Sequence, residues 1–195
     1  MPTSLIKWFK LSCILIFGAV FFCSSLDLYA ETKPADSSAG SRAVDVEPQS
    51  TSATFGDWVL RCNRMEVSGQ PQRVCEVAQT IIIQGQQAPV AELAIGRIKK
   101  ADPLRVTVVL PVNVTFPSAP QVQLDGKEAL ELAWKRCLPN GCYADAVPKE
   151  EVLRSWRAAR TTGRVETKDA FGRNVVVTIS FRGLNQALDA MNKEP

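Results

Sequence analysis

The chain has 195 residues, 46% of them hydrophobic, with 23 Lys or Arg, 20 Asp or Glu and no histidine. Its formal net charge of +3 points to neither nucleic acid nor a strongly charged membrane as partner. Without histidine, Ser-His-Asp and Cys-His nucleophilic systems are excluded, and the commonest metal ligand is missing.

Residues 1–30 read as a secretory signal peptide. Lys7 and Lys10 give a positive start, "LSCILIFGAVFF" (11–22) carries no charge, and a polar stretch leads to Ala30, the expected cleavage position. That run is shorter than the roughly 20 apolar residues a membrane span needs, so the mature chain is expected to carry no transmembrane anchor. Losing Lys7, Lys10 and Asp27 leaves 21 basic and 19 acidic side chains, a net +2. Residues 31–54 contain no aromatic residue and no Leu, Ile or Met. Such a segment cannot offset its ordering entropy by burial and reads as a disordered linker. One folded domain is expected over 55–193.

From Phe55 the pattern alternates with period two. Trp58, Leu60 and Cys62 share one face. In "RVCEVAQTIII", Cys75, Val77, Ile81 and Ile83 do the same, and in "PLRVTVVLP" Leu104, Val106, Val108 and Leu110 follow suit. Asp125-Gly126 predicts a hairpin joining "QVQL" to "ALELAW", in which Leu130, Leu132 and Trp134 alternate with polar or small residues. Cys137 falls out of phase with Trp134, which predicts a bulge between them. "PKEEVLRSWRAAR" predicts a helix with Pro148 in its first turn and Val152, Leu153, Trp156 and Ala159 as its buried stripe. Two strands follow, the second with Val175, Val177, Ile179 and Phe181 facing the core. A last helix puts Leu184, Ala187, Leu188 and Met191 on one stripe. Seven to nine short strands without strand–helix alternation predict a mainly β fold, an antiparallel β-sandwich or barrel carrying two short helices.

Six cysteines become four when Cys13 and Cys23 leave with the signal. Three pairings of Cys62, Cys75, Cys137 and Cys142 are available. Hairpin geometry favours Cys62 with Cys75 and Cys137 with Cys142, since residues facing each other on antiparallel strands lie within disulfide reach. The spacing is not that of a four-thiolate zinc site, and "CLPNGC" lacks the two-residue gap and following helix of a thioredoxin-like pair. Both pairs are therefore expected as structural disulfides, with no metal and no cofactor. By loop-closure entropy they contribute about 2 and about 3 kcal/mol for the shorter and longer loop.

Asp57, Glu92, Asp102, Asp125, Asp145 and Asp169 are the carboxylates a histidine-free hydrolase would draw on. A pair about 5–10 Å apart could cleave a glycan, a separation that sequence does not show, and Asp125 and Asp145 read as turn residues. No catalytic residue is expected. Arg154, Arg157 and Arg160 recur every third position and form a candidate anion-binding patch. The competing reading is helix electrostatics, with Glu150 and Glu151 in the first turn, arginines toward the end, and a Glu150–Arg154 pair.

The order and spacing of "FGDW" (55–58), Cys62, Cys75, "LRVTVVLPVNV" (104–114), "CLPNGCYA" (137–144) and "ISFRGLNQALDAM" (179–191) resemble the invasion-associated locus B (IalB) family of exported bacterial proteins. The resemblance implies an envelope or secreted protein of a Gram-negative bacterium, some members being linked with entry into host cells. It brings no catalytic residue and no cofactor. The resulting expectation is a non-enzymatic binding module in the periplasm, at the outer membrane or outside the cell, with a protein, envelope or host-surface partner. The alternative is a periplasmic inhibitor or chaperone of another envelope protein, with 137–145 as an inserted wedge.

Overall fold

Residues 48–195 are described by the computed structural model of the chain. The expected signal peptide, the cleavage at Ala30 and the linker as far as residue 47 lie outside the described residues. The end of that linker is corrected. Ser50–Phe55 forms strand β1, paired antiparallel with Trp58–Val67 (β2) from Ser50↔Asn63 to Phe55↔Trp58. The fold thus begins before Phe55. A strand of Ser, Thr and Ala is held there by ladder bonds to its neighbour, a tertiary effect that composition does not carry.

The chain continues through Gln70–Ile81 (β3), Ala91–Arg97 (β4), Arg105–Leu110 (β5), Gln121–Leu124 (β6), Leu130–Glu131 (β7), Ala133–Leu138 (β8) and Gly141–Ala146 (β9). Helix α1 (Glu150–Ala158), Thr162–Lys168 (β10), Asn174–Ser180 (β11) and helix α2 (Leu184–Lys193) complete it. A seven-stranded sheet runs β1-β2-β3-β4-β5-β9-β8 and a four-stranded sheet runs β11-β10-β6-β7. Every strand pair is antiparallel. Among the described residues the fold is mainly β, two sheets with two helices and no closed barrel.

The alternation is realised as expected in most strands. Trp58, Leu60 and Val77 from β2 and β3 share one core with Val106, Val108, Val122, Val165, Val177 and Ile179 from both sheets. Helix α2 buries Leu184, Ala187, Leu188 and Met191 against β1, β2 and β3. Helix α1 buries Trp156, whose ring lies 5.5 Å from that of Phe181. The expected bulge is present: the β8–β9 register shifts between Trp134 and Arg136.

Four features differ from the sequence expectation. "AELAIGR", not singled out as a strand, is β4. Ala91, Leu93, Ala94 and Ile95 are all buried, so both faces are covered and no alternation appears. Strand β3 ends at Ile81, which leaves Ile83 exposed rather than in the core. "ALELAW" is not one strand but passes from the small sheet to the large one at Leu132, fully buried with its N–H on the Pro120 carbonyl at 2.9 Å. Pro148 lies one residue outside the cap of α1, which is Lys149.

One crossing ties the two ends of the described chain together. At the β1–β2 turn, Gly56 meets Arg182-Gly183 at the β11–α2 junction. A β-carbon on Gly183 would stand 1.9 Å from the Phe55 carbonyl oxygen, and one on Gly56 2.5 Å from that of Arg182. Both glycines have positive φ, 59° and 92°, where a side chain is disfavoured. The Asp57 N–H donates to the Arg182 carbonyl at 3.0 Å. Beneath the crossing lies Gln79, a buried polar side chain. It donates to the carbonyls of Asp57 (3.2 Å) and Ser180 (3.1 Å) and accepts the Ser180 N–H at 2.9 Å. The Trp58 indole donates to the same Ser180 carbonyl at 2.9 Å.

Gly183→Ala places a β-carbon into that carbonyl at a φ only glycine adopts freely. It is expected to lower stability by about 3 kcal/mol, the sum of a left-handed penalty and overpacking, read as a fall in the urea midpoint at unchanged slope. An unchanged midpoint contradicts the crossing.

Candidate functional site

The β8–β9 hairpin turns through Pro139-Asn140, since Leu138 faces Gly141 in the register. Gly141 is buried with φ 147°, and a β-carbon there would lie 2.8 Å from the Leu110 carbonyl oxygen. The turn therefore seats directly on β5. Cys137 and Cys142 face each other and are bonded, as are Cys62 and Cys75 across β2 and β3. Both expected disulfides are present. On the other face of the hairpin the Asn140 amide donates to the Tyr143 hydroxyl at 2.8 Å, and the Arg136 guanidinium lies 5.3 Å from the centre of the Tyr143 ring. The turn is fastened on both faces.

Around it the seven-stranded sheet exposes aliphatic side chains. The register brings the end of β3, the start of β4, the ends of β5 and β8 and the start of β9 to one end of the sheet. Ile82, Ile83, Val112 and Leu138 there are between 42% and 61% exposed. A hollow of about 300 Å³ opens among Pro89, Val90, Leu110, Val112, Pro139 and Gly141. Phe171, the most exposed large apolar residue at 83%, stands in the β10–β11 turn with Arg173 over its ring.

The carboxylates considered for hydrolysis are engaged elsewhere. Glu92 and Glu76 both hold Arg61, at 2.7 and 2.8 Å, on the outer face of the large sheet. Asp145 lies within β9 rather than at a turn and pairs with Arg105 (2.6 Å) and Lys135 (3.7 Å). Asp125 pairs with Arg164 at 2.6 Å. Asp169 pairs with Arg173 and accepts the N–H groups of Phe171 and Arg173. Glu76 and Asp102 line one hollow of about 440 Å³, but Glu76 is held by Arg61 and Asp102 by the Lys99 N–H. Cys62, Cys75 and Glu194 lie within metal-ligand reach of one another, yet the two sulfurs are joined and offer no thiolate.

Asp57 is bonded into the glycine crossing itself. Arg182 grips it through two nitrogens and the Ser180 hydroxyl donates to it at 2.6 Å. The Arg182 hydrogen bonds first, then Ser180, hold its pKa below the ordinary 3.8. Asp169 is lowered as well, first by Arg173.

Arg154, Arg157 and Arg160 do not form one helical stripe. Helix α1 ends at Ala158 with Ala159 as its extended cap, so Arg160 lies beyond the helix. Arg154 is exposed and, among the described residues, makes no ion pair with Glu150. Arg157 pairs with Asp189 of α2. The sequence did not signal Arg182, which shares a surface hollow with Arg157 and Arg160, because its position follows from the glycine crossing. Ile82 and Val112 were likewise not singled out, since alternation does not say where a strand stops.

The family model of the invasion associated locus B (IalB) protein matches residues 58–192. Among solved structures the chain is similar to the crystal structure of invasion associated protein B from Bartonella henselae. The TM-score is 0.61 over 72% of this chain and 95% of that chain, at 16% identity. That likeness speaks for the fold. No curated protein matches the sequence.

Because the folded pKa of Asp57 is depressed, its pairing adds stability above the unfolded value and loses it as pH falls through the folded one. Thermal midpoints should hold from pH 7 to about pH 5 and decline below about pH 4. Asp57→Asn should be less stable than the parent at pH 7 and decline less steeply in acid. Parallel curves for the two proteins contradict this reading.

Proposed function

This chain belongs to the invasion associated locus B family, and from that premise we propose that it is an exported, non-enzymatic binding module of the bacterial envelope. It contributes to attachment to or invasion of host cells by holding a protein partner. The observation that carries this reading is a hollow lined by Val112 and the Pro139–Gly141 turn, at the end of the sheet where Ile82, Ile83 and Leu138 are also exposed and the Cys137–Cys142 bond closes the hairpin. Export is supported by the signal-like residues 1–30 and by two disulfides, which persist in oxidising compartments. Among the described residues no helix is long and apolar enough to cross a membrane. A non-enzymatic role is supported by the ion pairs and backbone bonds that occupy the carboxylates.

The same end of the sheet suits the alternative, a periplasmic inhibitor or chaperone. The turn at Pro139-Asn140 is bonded on both faces and would enter a partner's cleft without ordering cost. Partner identity separates the two readings.

A photo-crosslinking residue at Val112, in the full chain in its own cells, should trap one discrete protein partner. The same residue at Met65, an exposed position at the opposite end of β2, should trap none. Leu138→Asp should abolish the Val112 adduct while leaving the thermal midpoint within a few degrees, as expected for an exposed substitution. Equal crosslinking from both positions, or persistence of the adduct in Leu138→Asp, removes the basis for this reading.

A further inference from the structure

Separate from the apolar end of the sheet, a hollow of about 570 Å³ lies between the C-terminal end of α1 and the β11–α2 junction. Its volume falls within the roughly 300–1,000 Å³ of small-molecule sites. Arg157, Arg160 and Arg182 line it, with Asn185 and Gln186 and the Phe181 ring. Among the described residues no carboxylate lines it. The hollow beside Glu76 and Asp102 is different, since there Arg97 and Arg105 share the lining with those two carboxylates.

Two of the three guanidinium groups are fixed from behind. Asp189 holds Arg157 and Asp57 holds Arg182. Each guanidinium carries five N–H donors, so ion pairs to these two carboxylates, neither of which lines the hollow, leave donors unused. Arg160, on extended backbone past α1, has no hydrogen-bond or ion-pair partner among the described residues. The first turn of α2 adds to the positive field. It has no side-chain cap and no acidic residue, and its cap is Gly183. Acids usually occupy such a turn. Here Arg157 and Arg182 are matched by Asp189 and Asp57, and the charge near it that an incoming anion neutralises is that of Arg160.

The remaining lining defines the rest of the ligand. The ring of Phe181 with Ala158 and Ala159 offers an apolar wall, while the amides of Asn185 and Gln186 can donate and accept. A sugar ring has both an apolar C–H face and hydroxyls that suit those amides, and its phosphate suits the three arginines. We infer that this groove binds a phosphorylated saccharide, with Arg160 as its uncommitted anion-binding residue.

The test uses α-glucose 1-phosphate as probe, titrated into the isotope-labelled full chain at low salt, with glucose and inorganic phosphate as references. The expected result is saturable movement of the Asn185 and Gln186 amide signals. The sugar phosphate should bind more tightly than inorganic phosphate, and glucose should have no effect. Arg160→Gln should weaken binding about tenfold, the loss of one charge-assisted contact, and Arg105→Gln should not. Phosphatidylcholine vesicles carrying a phosphorylated glycolipid then identify the source. Tighter binding to them than to the free sugar assigns a lipid headgroup, and equal binding assigns a soluble sugar phosphate. The inference is overturned if the amides do not move saturably, if inorganic phosphate binds as tightly, if Arg160→Gln is without effect, or if phosphatidylglycerol vesicles of equal charge bind as well.

Discussion

The close passage of Gly56 over Arg182-Gly183 governs the rest of the structure. Two peptide planes separated by more than a hundred residues of chain approach so closely that neither glycine tolerates a β-carbon. The contact fixes the first hairpin of the large sheet against the last strand of the small one. It also fixes where α2 begins and so where its apolar stripe lands on β1, β2 and β3. Gln79 fills the space beneath with three hydrogen bonds to main-chain groups. A buried amide is costly unless satisfied, and here its satisfaction requires that the β1–β2 turn and the end of β11 both be in place.

With the two chain ends locked, the molecule can present surfaces without reorganising them. The outer face of the large sheet is largely self-neutralised, with Arg61 between two glutamates and Asp145 between Arg105 and Lys135. Exposed pairs of this kind add little stability, but they leave no single-signed field there to steer a ligand. The surfaces that remain distinctive are the apolar end around the Cys137–Cys142 turn and the arginine-lined groove at the head of α2. Parts of both are fastened by a disulfide or a glycine contact, although Ile82, Ile83, Val112 and Arg160 themselves lie past the ends of β3, β5 and α1.

Much of this was legible in the residues because period-two and helical patterns report one-sided burial. The faces of β2, β5 and β11, the stripe of α2, the bulge before Cys137 and both disulfides follow from spacing alone. The exceptions share a cause. β1 has no apolar signal because its stability comes from pairing, and β4 has no alternation because it is covered on both faces. The three isoleucines at 81–83 continue the strand pattern past the point where the ladder ends. Leu132 looks like one more strand position, yet the chain changes sheets there. The arginine groove was half visible. Arg157 and Arg160 belong to the expected patch, but Arg154 is not among the residues that line the groove, and Arg182 joins only through the glycine contact.

The crossing at Gly56 and Gly183 belongs to the cooperative core rather than to a frayed edge. Native-state hydrogen exchange of the Asp57 and Ser180 amides tests this directly, because each donates its bond across the junction, to Arg182 and to Gln79. The account predicts that both exchange only through global unfolding, at the same free energy as the Val108 amide in the centre of the large sheet. Exchange of the two through a local opening of lower energy, with β4 and β5 still protected, would contradict it.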